Sequence, residues 1–469
     1  VPVNVIISKE NKEKIAPFKP VKKEEGMCVR TIESIDVNNP KAHLLSNGKL
    51  SALLTDSGCG YLTLGETALT RFSFDLQNGI FGNYIYIKNL YNGNLWSTAV
   101  APLFIDHESC RAVFSPHKAE FYRSTGGVDT TTEIIISPEE NAEIRRVTIA
   151  NHTDDDILIE VTNYQEIVLT AIASDAAHPA FSNLFIKTEY DEGSDALIAA
   201  RRVKAGEEKS LFAMQTIQTE GEKIGRTEIE TDRARFIGRK NTVQNAGVML
   251  GDAQMTGSTG AVLDPIFSQR FKLKIDKGSV ASFAIITACC ESRNDAIEIA
   301  QKYKSAANIT RAFDMAFSRS QVENKYLGIS VKEEEAAYEI LANLLYILPQ
   351  RKILEEYISA NLLGQESLWS LGISGDNPIV TLRVHSEDGL EILKSLLKIH
   401  ELWRIKSKSV DLVIISEHEG SYTRPLMTAI YEMVAISHIR ELIGVSGGVF
   451  ILDARSEEHT SELQSPNTI

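Results

Sequence analysis

The stretch from residue 271 to residue 290, FKLKIDKGSVASFAIITACC, contains the pattern that decides the fold. Apolar and charged residues alternate from Phe271 to Asp276. Such alternation is typical of a strand with one buried face and one face in water. The turn residues Asp276-Lys277-Gly278 follow, and an apolar run then extends from Val280 to Cys290. This stretch therefore predicts strands of an antiparallel sheet.

The same pattern of short apolar or alternating runs separated by turns extends back along the chain to about Lys41. Ile157, Ile159 and Val161 again share one face of a predicted strand. Short apolar runs are separated by turn residues, including Ser46-Asn47-Gly48, Gln77-Asn78-Gly79, Tyr91-Asn92-Gly93-Asn94 and Gly126-Gly127. We therefore predict a large antiparallel β-sandwich over residues 41–290.

The period of the apolar residues becomes helical after Ser292. Ala296, Ile299, Ala300 and Tyr303 fall on one helix face, and a second such pattern ends before Pro349. This predicts a helical linker over residues 291–364.

Predicted strands and helices alternate in residues 365–454. Strands are predicted over residues 379–384, 410–415 and 449–452, and helices over residues 388–404 and 424–442. A β-α-β-α-β order predicts a small α/β unit with a parallel sheet and right-handed crossovers. The predicted fold class is therefore mostly β plus α/β.

The two ends of the chain differ from the rest. Residues 1–40 are rich in Lys, Glu and Pro and predict an extended linker. Residues 455–469 have no apolar periodicity, and from Arg455 to Ser465 they resemble the translation of a common sequencing adapter. We therefore interpret this tail as an artefact. Because the chain also lacks an initiator Met, we expect it to be a fragment.

Composition limits the class of protein. The 469 residues are 43% hydrophobic and 24% charged, which is typical of soluble globular proteins with about two to four domains. The formal net charge of −14 argues against a nucleic-acid partner, because phosphate binding needs clustered Lys and Arg. Five scattered cysteines predict no disulfide framework and a reducing compartment, and burial is predicted for the adjacent Cys289 and Cys290. No apolar run is long enough to span a bilayer.

Common catalytic and cofactor motifs are absent from the sequence. It contains no phosphate-binding loop, dinucleotide-binding glycine motif, zinc-protease motif or EF-hand, and we predict no cofactor and no metal. Residues 444–448 fit the GxSxG pattern, but a helix precedes them and a strand follows, which predicts a helix end and a turn. Asp376, paired with Glu417 or Glu419, is a weaker hypothesis for a carboxylate pair. His418 is close to the end of a predicted strand, although a solvated acidic loop is the favoured interpretation.

Two aromatic residues are candidates for sugar binding, because the apolar face of a pyranose stacks on a ring. Trp96 is close to Asn94 and Ser97, and Tyr61 follows a Gly-Cys-Gly turn. For each residue alone, packing in the core is the favoured alternative.

A series of collinear sequence blocks resembles a known family. The blocks are residues 43–50, 55–61, 68–71, 83–86, 95–97, 143–147, 175–181, 230–236, 260–265, 368–376 and 411–415. They resemble the supersandwich domain of glycoside hydrolase family 94, formerly glycosyltransferase family 36. The likeness is closest to the version found in cyclic β-1,2-glucan synthases.

The resemblance implies a long, inner-membrane-anchored parent enzyme that builds, cyclises and trims β-1,2-glucan. This chain would be a cytoplasmic segment of it, with flanking catalytic domains and β-glucan as partners. Family phosphorylases use an Asp general acid in a D-W-N-D-like loop of a helical barrel. That loop is absent here, so we expect no catalytic residue and no activity from this chain alone.

Two functions follow from the resemblance. The chain is either a carbohydrate-facing segment or a purely structural packing module. In the first case Tyr61, Arg71, Trp96 and Asp376 are the candidate substrate-binding residues. Arg71 could bridge hydroxyls or phosphate, and a surface ion pair is its equally favoured alternative. A tight loop is the favoured alternative for the segment that contains Asp376.

Overall fold

The computed structural model describes residues 27–71, 82–105, 108–202, 210–251, 254–346, 355–417 and 425–454. Several predicted features lie outside these residues: the linker as far as residue 26, the turn Gln77-Asn78-Gly79, the helix end before Pro349, the loop with His418 and Glu419, and the adapter-like tail at residues 455–469.

The described residues between 30 and 290 contain the strands of the sandwich. They are β1 (Arg30–Ile32), β2 (Ala42–Ser46), β3 (Leu50–Thr55), β4 (Gly60–Leu64), β5 (Thr67–Thr70), β6 (Tyr84–Asn89), β7 (Leu95–Ser97), β8 (Ser109–Ser115), β9 (Lys118–Thr125), β10 (Val128–Ile136), β11 (Ala142–Asn151), β12 (Ile157–Ala171), β13 (Ile186–Asp191), β14 (Ala196–Arg201), β15 (Phe212–Glu220), β16 (Glu222–Asp232), β17 (Pro265–Ile275) and β18 (Val280–Cys290).

These strands form two antiparallel sheets. The first sheet has nine strands in the order β1-β8-β9-β10-β11-β18-β15-β14-β13. The second has the order β16-β17-β12-β5-β4-β3-β2, and β6 joins it by pairing with β12 and β7. The predicted fold class, a large antiparallel supersandwich with helices and an α/β unit, is confirmed.

Residues of the predicted alternating strands fill the core between the sheets. Ile157, Ile159 and Val161 are buried there, and the rings of Phe271 and Phe283 pack edge to face with centres 5.2 Å apart. Cys289 and Cys290 are both buried free thiols, the first packed between the sheets and the second against the helices. This is the expected result for adjacent residues of one strand.

The described residues include ten α-helices. They are α1 (Ile172–Ala177), α2 (Pro179–Asn183), α3 (Arg233–Ile237), α4 (Gly247–Leu250), α5 (Arg293–Lys302), α6 (Ala306–Leu327), α7 (Val331–Leu345), α8 (Glu355–Ala360), α9 (Asp388–Ile405) and α10 (Pro425–Ile436). No helix among the described residues combines the length and the apolar composition needed to cross a membrane.

Helices cover the outer faces of both sheets. Helices α5 and α6 pack on the first sheet, with Tyr303 and Phe313 in their shared core. Helix α7 packs on the second sheet through Tyr338 and Leu341. It begins with a capping box, in which the Ser330 hydroxyl accepts from the backbone of Glu333 and the Glu333 carboxylate accepts from the backbone of Ser330.

The α/β unit packs on the other side of α7. Strands β19 (Ile379–Val384), β20 (Asp411–Ser416) and β21 (Val449–Asp453) form a parallel sheet in this order. Trp403 of α9 donates from Nε1 to the carbonyl of Ala337 in α7 at 3.2 Å. Helix α7 is therefore shared by the sandwich and the α/β unit.

Two predicted boundaries differ from the structure. Strand β1 lies within the predicted linker over residues 1–40, where it pairs with β8; three residues are too few to show alternation. Helix α10 ends at Ile436 and not at residue 442, and the chain then turns so that His438 packs on Tyr326 with ring centres 4.4 Å apart. The GxSxG segment is a turn that leads into β21, as predicted, where Gly444 donates to the Val449 carbonyl.

Candidate functional site

Both aromatic candidates are buried in the sandwich. Trp96 lies in β7 within the core between the sheets, and its Nε1 is 3.4 Å from Thr130 Oγ1. Tyr61 lies in β4 within the core under α7, where burial raises the pKa of its phenol. Neither ring presents a face to solvent in this structure. A stacking role for either ring stays a prediction, and it requires the ring to become exposed.

Arg71 forms buried ion pairs directly after β5. Its Nε lies 2.8 Å from Glu166 Oε2. Its NH1 donates to both oxygens of Asp175, at 3.0 and 3.1 Å. Its NH2 donates to Asn183 Oδ1 at 3.0 Å. The guanidinium fork is therefore occupied by groups of this chain, on three sides.

A second arginine closes these contacts into a ring. Arg233 Nε lies 3.1 Å from Glu166 Oε1, and its NH1 lies 3.3 Å from Asp264 Oδ2. Asn183 Nδ2 donates to the other oxygen of Asp264 at 3.1 Å. We call this group the Arg71 cluster; it consists of Arg71, Glu166, Asp175, Asn183, Arg233 and Asp264.

Strand pairing explains why these residues meet. Thr70 of β5 pairs with Ile167 of β12, which brings the end of β5 beside Glu166. Glu166 itself pairs with Ile266 at the beginning of β17, directly after the segment that carries Asp264. The backbone of Arg233 donates to the Asp264 carbonyl at 3.0 Å, which fixes the start of α3 at the same place.

The electrostatics of the cluster favour hydrogen-bond donors. It contains three carboxyl groups and two guanidinium groups. Burial raises the pKa of Asp175, although Arg71 opposes this rise. Burial and the Glu166 carboxylate raise the pKa of Asp264, opposed by Arg233. The cluster has one more carboxyl group than guanidinium groups, and its carboxylate oxygens can accept hydrogen bonds from the hydroxyls of a sugar.

One edge of the cluster reaches the surface. The side chains of Arg233 and Asp264 are 33% and 32% exposed, whereas those of Arg71 and Asp175 are nearly buried. Exposed apolar side chains adjoin this edge in sequence: Leu263 precedes Asp264, and Phe181 lies in α2. The exposed edge therefore presents one carboxylate and one guanidinium group to solvent.

Asp376 belongs to a different part of the molecule. It is exposed in the loop before β19, and its Oδ1 accepts from Gln365 Nε2 at 3.2 Å. The four candidate residues are therefore far apart in the fold. Trp96 lies in the core between the sheets and Tyr61 in the core under α7, whereas Arg71 belongs to the Arg71 cluster and Asp376 to the α/β unit.

The prediction that Asp376 and Glu417 form a carboxylate pair is wrong. Asp376 precedes the start of β19, whereas Glu417 follows the end of β20, and the two strands run parallel in register. A strand of six residues separates the two positions by about 20 Å. A glycosidase pair needs about 5–10 Å. Among the described residues, no three His, Cys, Asp or Glu side chains are grouped to hold a metal ion.

Sequence reasoning missed most of the cluster. Asp175, Arg233 and Asp264 occur in blocks that resemble the family, but no role was predicted for them. Glu166 carried a usable signal, because it is an acid that directly precedes the apolar run Ile167-Val168-Leu169 of β12. A buried acid needs a partner, which the sequence does not identify.

A family model described as the supersandwich domain of glycosyl hydrolase 94 matches residues 25–306. The chain belongs to this family. The chain is 30% identical over 415 residues, 88% of its length, to the cyclic beta-(1,2)-glucan synthase NdvB of Rhizobium meliloti (strain 1021). It is 24% identical over 163 residues, 34% of the chain, to an N,N'-diacetylchitobiose phosphorylase of Vibrio furnissii. The chain spans 15% and 20% of the length of these two relatives.

Solved structures also resemble this supersandwich protein. A bacterial glucoamylase determined with acarbose has a TM-score of 0.39 and 9% sequence identity, over 68% of this chain and 44% of the glucoamylase. The family match therefore rests on sequence, and it identifies the domain as one of carbohydrate-active enzymes.

Proposed function

We propose that this chain is the carbohydrate-facing segment of a cyclic β-1,2-glucan synthase or a related β-glucan phosphorylase. In this proposal it binds β-1,2-linked glucan and holds flanking catalytic domains of the same polypeptide. The parent is anchored in the inner membrane, and this segment lies in the cytoplasm. The similarity to NdvB supports the choice of glucan.

The Arg71 cluster is the observation that carries the proposal. It joins four segments that are distant in sequence, and its exposed edge offers the Asp264 carboxylate and the Arg233 guanidinium group. Hydroxyl groups of glucose can donate to the Asp264 carboxylate and accept from the Arg233 guanidinium. No catalytic role is proposed for the cluster.

Calorimetry with linear β-1,2-glucan oligosaccharides tests this function. We expect the wild-type chain to bind at concentrations up to millimolar, and Asp264→Asn to weaken binding about tenfold, because the amide replaces an acceptor with a donor. Asp276→Asn is the matched control, since Asp276 is exposed in the turn between β17 and β18. Absence of heat from the wild-type chain would refute sugar binding.

A purely structural module is the second candidate function. It is favoured by the buried positions of Trp96 and Tyr61 and by the internal ion pairs of Arg71. In that case Asp264→Asn changes the melting temperature but leaves glucan synthesis and trimming by the whole enzyme unchanged. Loss of product at unchanged stability would contradict it.

A further inference from the structure

Trp369 is exposed in the α/β unit, far outside the residues that the family model matches. It lies in the 3₁₀ helix Gln365–Leu371 and is 65% exposed. The other two Trp residues, Trp96 and Trp403, are 2% and 3% exposed. An indole that remains largely in water leaves a wide apolar face without a partner.

Hydrogen bonds fix the orientation of this ring. Trp369 Nε1 donates to the carbonyl of Ser374 at 3.3 Å. Gln365 Nε2 donates to the same carbonyl at 2.8 Å and to Asp376 Oδ1 at 3.2 Å. The indole N–H and the Gln365 amide therefore share one backbone oxygen, and the same amide also contacts the Asp376 carboxylate.

The backbone holds this group closely. Gly375 has a φ of +76°, and a Cβ at this position would lie 2.7 Å from Gln365 Cγ. Only glycine adopts this conformation without strain and leaves room for the glutamine. Below the loop, Leu368 and Ile373 are buried against the parallel sheet. The loop that carries the exposed ring is thus held in place by buried residues, and the ring needs little rearrangement to bind a ligand.

We propose that Trp369, Gln365 and Asp376 form a surface site for a β-linked glucan chain. A pyranose ring stacks on the indole, and its hydroxyls bind the Gln365 amide and the Asp376 carboxylate. The inference rests on the proposed function, since it assumes that the chain faces carbohydrate. It adds a second contact with the polymer, at a distance from the Arg71 cluster.

The chemistry around the ring favours sugar over protein. A protein-docking surface has a contiguous apolar centre from which polar groups are largely excluded. At Trp369, hydrogen-bonding groups adjoin the ring itself, as the alternation of apolar faces and hydroxyls in a pyranose requires. The position is open at the surface, which suits an internal stretch of a long polymer better than a single enclosed sugar.

Fluorescence gives a direct test, because Trp369 is the one exposed Trp of the three. We expect linear β-1,2-glucan oligosaccharides to protect the protein from quenching by acrylamide. Calorimetry should show that Trp369→Ala weakens binding about tenfold or more and that Gln365→Ala weakens it severalfold. Trp369→Phe should retain more affinity than Trp369→Ala. Tyr357→Ala is the control, since Tyr357 is also an exposed aromatic residue in this region.

The outcomes separate this site from the proposed function. If the wild-type chain binds glucan and Trp369→Ala binds it equally well, the site is refuted but the function stands. If Trp369→Ala weakens binding whereas Asp264→Asn does not, the site stands without the Arg71 cluster. If no glucan binds, both fail. Protection of Trp369 that increases with protein concentration, together with a larger mass by light scattering, would identify a protein contact and overturn the site.

Discussion

The guanidinium carbon of Arg30 lies 4.2 Å from the centre of the Tyr338 ring, which joins edge strand β1 to helix α7. The same guanidinium lies 5.3 Å from the Phe114 ring and donates to the Ala42 carbonyl at 2.9 Å. Its NH2 is 3.0 Å from His43 Nδ1. Because arginine can only donate, His43 Nδ1 accepts, and the proton of the neutral imidazole is on Nε2. Burial and Arg30 hold the pKa of His43 well below its usual value.

We expect Arg30→Lys to lower the free energy of unfolding by about 2 kcal/mol, because an ammonium cannot stack on Tyr338 and donate as a planar fork at once. Urea unfolding measures the loss. Arg440→Lys is the matched control, since Arg440 is exposed and pairs only loosely with Glu441, at 4.0 Å. Equal stability of the two variants would show that the contact with Tyr338 contributes nothing.

Arg71→Ala should destabilise the protein by about 3–5 kcal/mol, because it leaves the buried Asp175 carboxylate without the arginine that pairs with it and removes one of the two arginines that pair with Glu166. The double variant Arg71→Ala/Asp175→Asn should recover part of the loss. Lys277→Ala removes an exposed pair with Asp154 and should leave stability nearly unchanged, because solvent screens that pair. A loss at Arg71 no larger than at Lys277 would mean that the cluster is not stabilised by its charges.

Trp96→Ala should lower the free energy of unfolding by about 3–5 kcal/mol, because it leaves a large cavity between the sheets. Trp369→Ala should change it by less than about 0.5 kcal/mol, since that ring is exposed. Thermal and urea unfolding of both variants check the contrast. A stable Trp96→Ala variant with weakened glucan binding would instead support a sugar-binding role for Trp96.

Asp56 should make stability depend on pH. Burial raises the pKa of Asp56 from 3.8 to about 6, although the backbone of Lys41 donates to its Oδ1 at 3.1 Å. Between these values the folded protein holds more protons than the unfolded chain, so the free energy of unfolding falls as pH rises. Asparagine does not titrate, and the stability of Asp56→Asn relative to wild type should increase by about 2 kcal/mol from pH 4 to pH 7.

Urea unfolding at four pH values between 4 and 7 measures this dependence. Asp314→Asn serves as the control, because Asp314 is exposed on α6. A difference between Asp56→Asn and wild type that stays constant with pH would contradict the raised pKa of Asp56.

The sequence predicted the strands well, because alternation over residues such as Ile157 to Val161 is a local signal. It also predicted the order of the α/β unit. It could not predict the Arg71 cluster, since Arg71 and Asp175 are 104 positions apart and meet only through sheet pairing. The end of α10 was missed for the same reason, because a contact with Tyr326, more than 100 positions earlier, is associated with the turn at His438.

Helix α7 restricts movement between the sandwich and the α/β unit. Its adjacent residues Ala337 and Tyr338 hold opposite partners, Trp403 of the α/β unit and Arg30 of the sandwich. A hinge between the two parts would have to break one of these attachments. Helix α7 therefore couples the α/β unit to the sandwich. A polymer bound at both Trp369 and the Arg71 cluster would have to span a fixed distance between these two sites.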